Sequence, residues 1–247
     1  MSSLPSELAQ DAPNLGFVPA SRIQQSFVAA LERKTLTYLA ARMPSWVNSD
    51  HLTILGFVSQ CLAGICYGLA RSNAYFLLAG ILCLALNWLG DSLDGTLARA
   101  RNEERPRYGF YVDHISDTIG ALFLMGGLAL SGYVHPGVAL GMLVAFLTLS
   151  IEAYLATYTL GSFQLSYWKF GPTEIRLLLA IGNLALLYHP RIEIMKKQIL
   201  LFDVGGVVAI VGMAGMLLAS TIKHTARLYR QESLRRSNNS PVASPPA

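Results

Sequence analysis

Uncharged stretches dominate the chain and set its architecture. No Asp, Glu, Lys or Arg occurs from His51 to Ala70, from Ser72 to Gly90, or across the 34 positions from Thr118 to Ile151. Runs of that length read as membrane-crossing helices. The pattern predicts six spans: about His51 to Leu69, one beginning near Ala74, one beginning near Tyr108, Gly137 to Thr159, Pro172 to Leu187, and Ile199 to Ile222. The second keeps its helical character past Gly90 to Arg101. These 28 residues reach about 42 Å at 1.5 Å each, more than a hydrocarbon core of about 30 Å, so its last turns are expected to enter the interface.

Ahead of the spans, Ile23, Phe27, Ala30, Leu31, Leu36 and Leu39 recur at helical spacing while Gln24, Gln25, Arg33 and Lys34 fall elsewhere. That predicts an amphipathic helix lying at the membrane surface. The fold class expected is therefore all-α integral membrane, with six transmembrane helices after an N-terminal amphipathic surface helix. Residues 1–20 are expected to be a flexible N-terminus, 21–43 the interfacial helix, 44–223 the six-helix domain, and 224–247 a basic and then disordered cytoplasmic tail. Met1 to Ala20 lacks the basic start and apolar core of a signal peptide, so insertion is expected to rely on the internal spans.

Composition agrees: of 247 residues 53% are hydrophobic and only 14% charged, against about 25% charged in a soluble domain. The net charge of +4 points to membrane topology rather than nucleic acid, because the basic residues sit at the ends of apolar runs. Arg99, Arg101, Arg105 and Arg107 cluster between spans two and three, and Lys223, Arg227, Arg230, Arg235 and Arg236 follow span six. Both segments are expected in the cytoplasm, which leaves Arg191, Lys196 and Lys197 facing outward against the rule. Cys61, Cys66 and Cys83 lie within apolar spans and read as packing residues. Gly126-Gly127 and the series Gly205-Gly206, Gly212, Gly215 read as helix-packing positions.

Charge inside such a chain needs a reason. Asp91 and Asp94, three apart, share a helix face near the end of span two, and Asp113 and Asp117, four apart, share one at the start of span three. Four carboxylates at one membrane face repel one another unless cations are present, and one or two Mg²⁺ or Mn²⁺ ions suit an oxygen-only ligand set. Gly95, Ala98 and Gly109 leave the neighbouring helix surface bare, and Arg99 adds a positive charge. Metals beside a small-residue surface suit a diphosphate with an attached nucleoside. They would support displacement at phosphorus, with one Asp taking the proton of an attacking hydroxyl. The competing reading is an ion-pair network between the four Asp and Arg99, Arg101, Arg105 and Arg107.

The run Asp91-Ser92-Leu93-Asp94-Gly95-Thr96-Leu97-Ala98-Arg99, followed at fixed spacing by Gly109, Asp113 and Asp117, resembles the signature of the CDP-alcohol phosphotransferases, or CDP-alcohol phosphatidyltransferases. The resemblance implies that a CDP-linked alcohol is attacked by the hydroxyl of a second alcohol, giving a phosphodiester and CMP, in phospholipid biosynthesis. It implies that Asp91, Asp94, Asp113 and Asp117 hold two divalent metals, that Asp117 is also the general base, and that Gly95, Ala98, Arg99 and Gly109 line the nucleotide site. It further implies a homodimer in a bacterial inner membrane or an endoplasmic reticulum. The family often opens its first span with Pro-Asn-x-Leu/Ile-Thr; here Ser49-Asp50-His51-Leu52-Thr53 occupies that place, with Asp50 for the Asn.

Elsewhere, Lys169 and Arg176 are candidates for binding a phosphate of either substrate, and Glu152 is expected to pair with Arg176. Asp203 is expected at the interface. CDP-diacylglycerol is the first choice of donor. The alternative is transfer from CDP-choline or CDP-ethanolamine to diacylglycerol, which the short run Phe170-Gly171-Pro172-Thr173-Glu174 resembles. A divalent-cation transporter is a more remote reading, because such sites favour broken helices near the midplane.

Overall fold

The computed structural model describes residues 29–160, 172–194 and 196–237. It is helical throughout except for one short hairpin: α1 (Ala29–Arg42), α2 (Ser49–Ala70), α3 (Phe76–Arg101), α4 (Pro106–Ser131), α5 (Pro136–Leu160), α6 (Pro172–Tyr188), β1 (Arg191–Ile194), β2 (Lys197–Leu200) and α7 (Leu201–Ser237). Among the described residues, α2, α3, α4, α5 and α7 are long and apolar enough to cross a membrane. With 17 residues, α6 rises about 26 Å, slightly less than a hydrocarbon core.

Local chemistry explains the boundaries. Asn48 caps α2: its Oδ1 accepts from the His51 amide at 3.0 Å, and the Asn48 amide donates back to His51 Nδ1 at 3.3 Å. The α3 helix ends where Asn102 turns left-handed at φ 55° and its amide reaches the carbonyls of Ala98 and Arg99. Pro106 then opens α4 in its first turn, two residues earlier than the expected start near Tyr108. Between the fifth span and the sixth, expected to begin at Ile199, β1 and β2 pair antiparallel, with Arg191 opposite Leu200 and Ile194 opposite Lys197, so that α7 begins only at Leu201.

The last helix departs most from expectation. It does not stop near Ile222 but runs on to Ser237, 37 residues in all, so the basic residues 223–236 continue the helix of the last span. Nothing between Ile222 and Ser237 breaks a helix: there is no Gly or Pro. Residues 238–247, like 21–28 of the expected surface helix, lie outside the described residues.

Packing follows the spatial order α6, α3, α2, α4, α5, α7, with α1 laid on α3. Two glycine contacts bring α2 onto its neighbours. A Cβ on Gly127 would lie 1.8 Å from the Gly64 carbonyl oxygen, and one on Gly90 would lie 2.5 Å from the Gly56 nitrogen and the Leu52 carbonyl. Backbones this close admit no side chain. Gly206 packs near Val138 and Met142, whereas Gly126, Gly205, Gly212 and Gly215 face open space, so only part of the expected glycine series mediates packing within the chain.

The core divides in two. The larger part, around Tyr67, Leu77, Leu84, Leu128 and Leu186, fills the end of the bundle near the α4–α5 turn. A smaller cluster, Leu36 and Ala40 of α1 with Leu52, Leu93 and Leu97, joins α1 to the opposite end. Cys61, Cys66 and Cys83 are half-buried free thiols.

Candidate functional site

The Gly56–Gly90 contact also builds the site. By drawing the middle of α3 against α2, it sets Asp91 and Asp94 beside Thr53, Gly56 and Gln60. The α4 helix, locked to α2 through Gly64 and Gly127, adds Asp113, Ser116 and Asp117 from the other side. Asp91, Asp94, Asp113 and Asp117 thus line a single cleft, together with Phe57 and Asn87. Its inner volume is about 10 Å³, room for one water-sized sphere.

The α3 carboxylates are oriented by neighbouring helices. The Thr53 hydroxyl donates to Asp94 Oδ2 at 2.7 Å, and the Ser49 hydroxyl to the Asp94 carbonyl at 3.1 Å. Arg176 of α6 donates through one terminal nitrogen to Asp91 Oδ2 at 2.7 Å and through Nε to Asn87 Oδ1 at 2.7 Å. The Asn87 amide in turn donates to the Gly56 carbonyl at 3.0 Å. On α4, His114 stacks on Phe110 with centroids 4.1 Å apart and meets the Tyr154 ring edge-on at 5.0 Å, tying α4 to α5 beside Asp113.

One expected pairing is corrected. Glu152 does not meet Arg176: its Oε1 lies 2.7 Å from His224 Nδ1, joining α5 to α7. Three of the four arginines of the competing network have partners other than the four Asp. Arg99 donates to Thr96 Oγ1, Arg105 pairs with Asp50, and Arg101 caps the turn before α2 through the carbonyls of Met43, Pro44 and Val47. Asp203 accepts from the His135 amide at 2.6 Å, bracing the start of α7 against the α4–α5 turn.

Of the remaining expected site residues, Gly95, Ala98, Arg99 and Gly109 do not line the inner cleft. A Cβ on Gly95 would face the Arg99 guanidinium at 3.4 Å, and Gly109 fronts open space. Lys169 lies outside the described residues. Gln60 and Asn87 escaped the sequence reading, although both are lone amides within apolar runs, the signal that marked the aspartates, and Thr53 entered it only within the run Ser49-Asp50-His51-Leu52-Thr53.

Chemically the cleft offers carboxylate, hydroxyl and amide oxygens without thiol or imidazole, a donor set that fits a hard divalent cation. Among the described residues no three acidic, His or Cys side chains converge into a ready-made metal site.

The model of the CDP-alcohol phosphatidyltransferase family matches residues 46–219, from just before α2 to well inside α7. None of the curated proteins compared with the chain matches it.

Proposed function

The chain belongs to the CDP-alcohol phosphatidyltransferase family, whose members transfer a substituted phosphate from a CDP-alcohol to an alcohol, and from that premise we propose how this chain does so. The donor is CDP-diacylglycerol, the acceptor a small polar alcohol, and the products a phospholipid and CMP. The new bond joins the acceptor oxygen to the phosphorus that carries the diacylglycerol oxygen. The bond that breaks links that phosphorus to CMP. The observation that carries this reading is the convergence of Asp91, Asp94, Asp113 and Asp117 on one cleft at the ends of α3 and α4.

Asp91, Asp94, Asp113 and Asp117 would hold Mg²⁺ or Mn²⁺, two ions in our reading. When bound, the metal supplies charge neutralisation of the phosphate oxygens. Asp117 takes the proton of the attacking hydroxyl, since it stands one turn further along α4 than Asp113, next to the uncharged run that follows it. Gly95, Ala98 and Gly109 leave backbone surface bare where the nucleotide lies, and Arg99 contributes charge to it. Arg176 pairs with Asp91 and is within reach of a phosphate entering the cleft.

In our reading α6 is a short fifth of six spans, so that the α3–α4 turn and the basic end of α7 lie on the cytoplasmic side, where soluble substrates and CMP exchange. The test offers purified protein CDP-diacylglycerol, CDP-choline or CDP-ethanolamine with candidate acceptors and Mg²⁺ or Mn²⁺, and identifies the lipid by mass spectrometry. A product from CDP-diacylglycerol alone is expected; a product only from CDP-choline or CDP-ethanolamine with diacylglycerol would reverse the assignment of donor.

A further inference from the structure

Glu32 of α1 is a carboxylate that the chemistry above does not use. Only 9% of it is exposed, and its Oε1 gathers three donors: Trp88 Nε1 at 2.9 Å, the Ser92 hydroxyl at 3.2 Å and the Thr173 hydroxyl at 2.9 Å. Its Oε2 is buried with no hydrogen-bond partner among the described residues. Burying a carboxylate in this way is costly, so its retention calls for a task that an apolar residue could not perform.

The three donors show the task. Trp88 and Ser92 are one turn apart on α3, and each adjoins a residue of the Arg176 contact: Asn87 precedes Trp88 and Asp91 precedes Ser92. Thr173 is the second residue of α6, and Arg176 follows it three positions later on the same face. Glu32 and Arg176 are thus two adjacent ties between α3 and α6. Trp88, Thr173 and Arg176 themselves line one end of an apolar groove of about 190 Å³ between the helices, which continues along Ile81, Ala85, Leu177 and Ala180. The groove lies where α6 begins, so the two polar ties bridge a gap that side-chain packing leaves open.

We propose that Glu32 is a positioning residue for the transfer reaction: its carboxylate clamps Thr173 of α6 to Trp88 and Ser92 of α3 and thereby seats Arg176 on Asp91. The proposal rests on the reading that transfer takes place in the aspartate cleft. It gives α1 a part in turnover beyond covering α3, because the apolar contacts of Leu36 and Ala40 with that end of the bundle do not involve α6.

The experiment compares purified Glu32→Ala, Glu32→Gln, Thr173→Val and the double variant Glu32→Ala/Thr173→Val with the parent protein. Glu32→Ala and Thr173→Val should each lower kcat, Glu32→Ala by roughly ten-fold, the scale of a lost charge-assisted hydrogen bond, with the KM for the CDP-alcohol changed less. The double variant should be no slower than Glu32→Ala alone, and Glu32→Gln, which keeps the acceptor oxygen, should recover most of the rate. Unchanged kcat in Glu32→Ala, additive losses, or no recovery in Glu32→Gln would overturn the proposal. A second readout is independent of activity: with Trp46 and Trp168 replaced by Phe, Glu32→Ala should shift the emission of Trp88. An unshifted spectrum would refute the clamp. A shifted spectrum in a protein that releases no CMP from any CDP-alcohol would support the clamp while rejecting the transfer reading.

Discussion

Arg176 on α6 holds Asp91 on α3 through a 2.7 Å charge-assisted hydrogen bond, and the same guanidinium holds Asn87 one turn away. This contact brings the fifth apolar segment to a cleft otherwise built by α2, α3 and α4. Arg176→Ala should therefore lower turnover by roughly ten-fold or more, the scale of one hydrogen bond to a charged group. Arg176→Lys should recover only part, because an ammonium cannot span Asp91 and Asn87 with the same planar fork. Steady-state rates of CMP release measure both; full activity in Arg176→Ala would remove it from the site.

Packing can be tested apart from chemistry through two adjacent glycines. A Cβ on Gly127 would lie 1.8 Å from the Gly64 carbonyl oxygen, whereas one on Gly126 meets nothing within 4 Å. Gly127→Ala should destabilise the detergent-solubilised protein by about 1–3 kcal/mol, the cost of overpacking, while Gly126→Ala should leave it unchanged or slightly more stable. Thermal unfolding of both variants checks the pair.

Much of this arrangement was legible in the sequence. Carboxylates are so costly in apolar runs that Asp91, Asp94, Asp113 and Asp117 identified their helices and the shared end of the bundle before any coordinates. What sequence spacing could not supply was the order of helices in space. Glu152 was expected to meet Arg176, but α5 packs on α4 and α7 while α6 packs on α3, so Glu152 faces His224 and Arg176 faces Asp91. The hairpin left a trace in the alternation of Arg191, Ile192, Glu193 and Ile194, too short to outweigh the reading as a loop. The end of α7 was misplaced because a change from apolar to basic residues marks the membrane boundary, not the end of the helix.

Membrane orientation has a direct test. Glu103 is exposed just after the left-handed Asn102, so Glu103→Cys avoids disturbing the turn that ends α3. In a background with Cys61, Cys66 and Cys83 replaced, it should react with impermeant thiol reagents only from the cytoplasmic side. Labelling from outside in intact cells would invert the proposed topology.

Asp117 should be separable from its neighbours. Asp117→Asn is expected to slow single-turnover transfer by about 10²- to 10⁴-fold, the range for loss of a general base, while CDP-alcohol affinity falls much less than in Asp94→Asn. Equal loss of donor binding in the two variants would leave Asp117 without a distinct base role.

The central claim is that the four aspartates form one metal-dependent phosphotransfer centre, and CMP release measures it most directly. Purified protein given its CDP-alcohol and acceptor should release CMP only with Mg²⁺ or Mn²⁺. Asp91→Asn, Asp94→Asn and Asp113→Asn should each reduce release more than about 100-fold while remaining folded in the membrane, because each removes a charged ligand rather than core packing. Release that persists in chelator, or near-parental activity in any of the three variants at saturating metal, would contradict it.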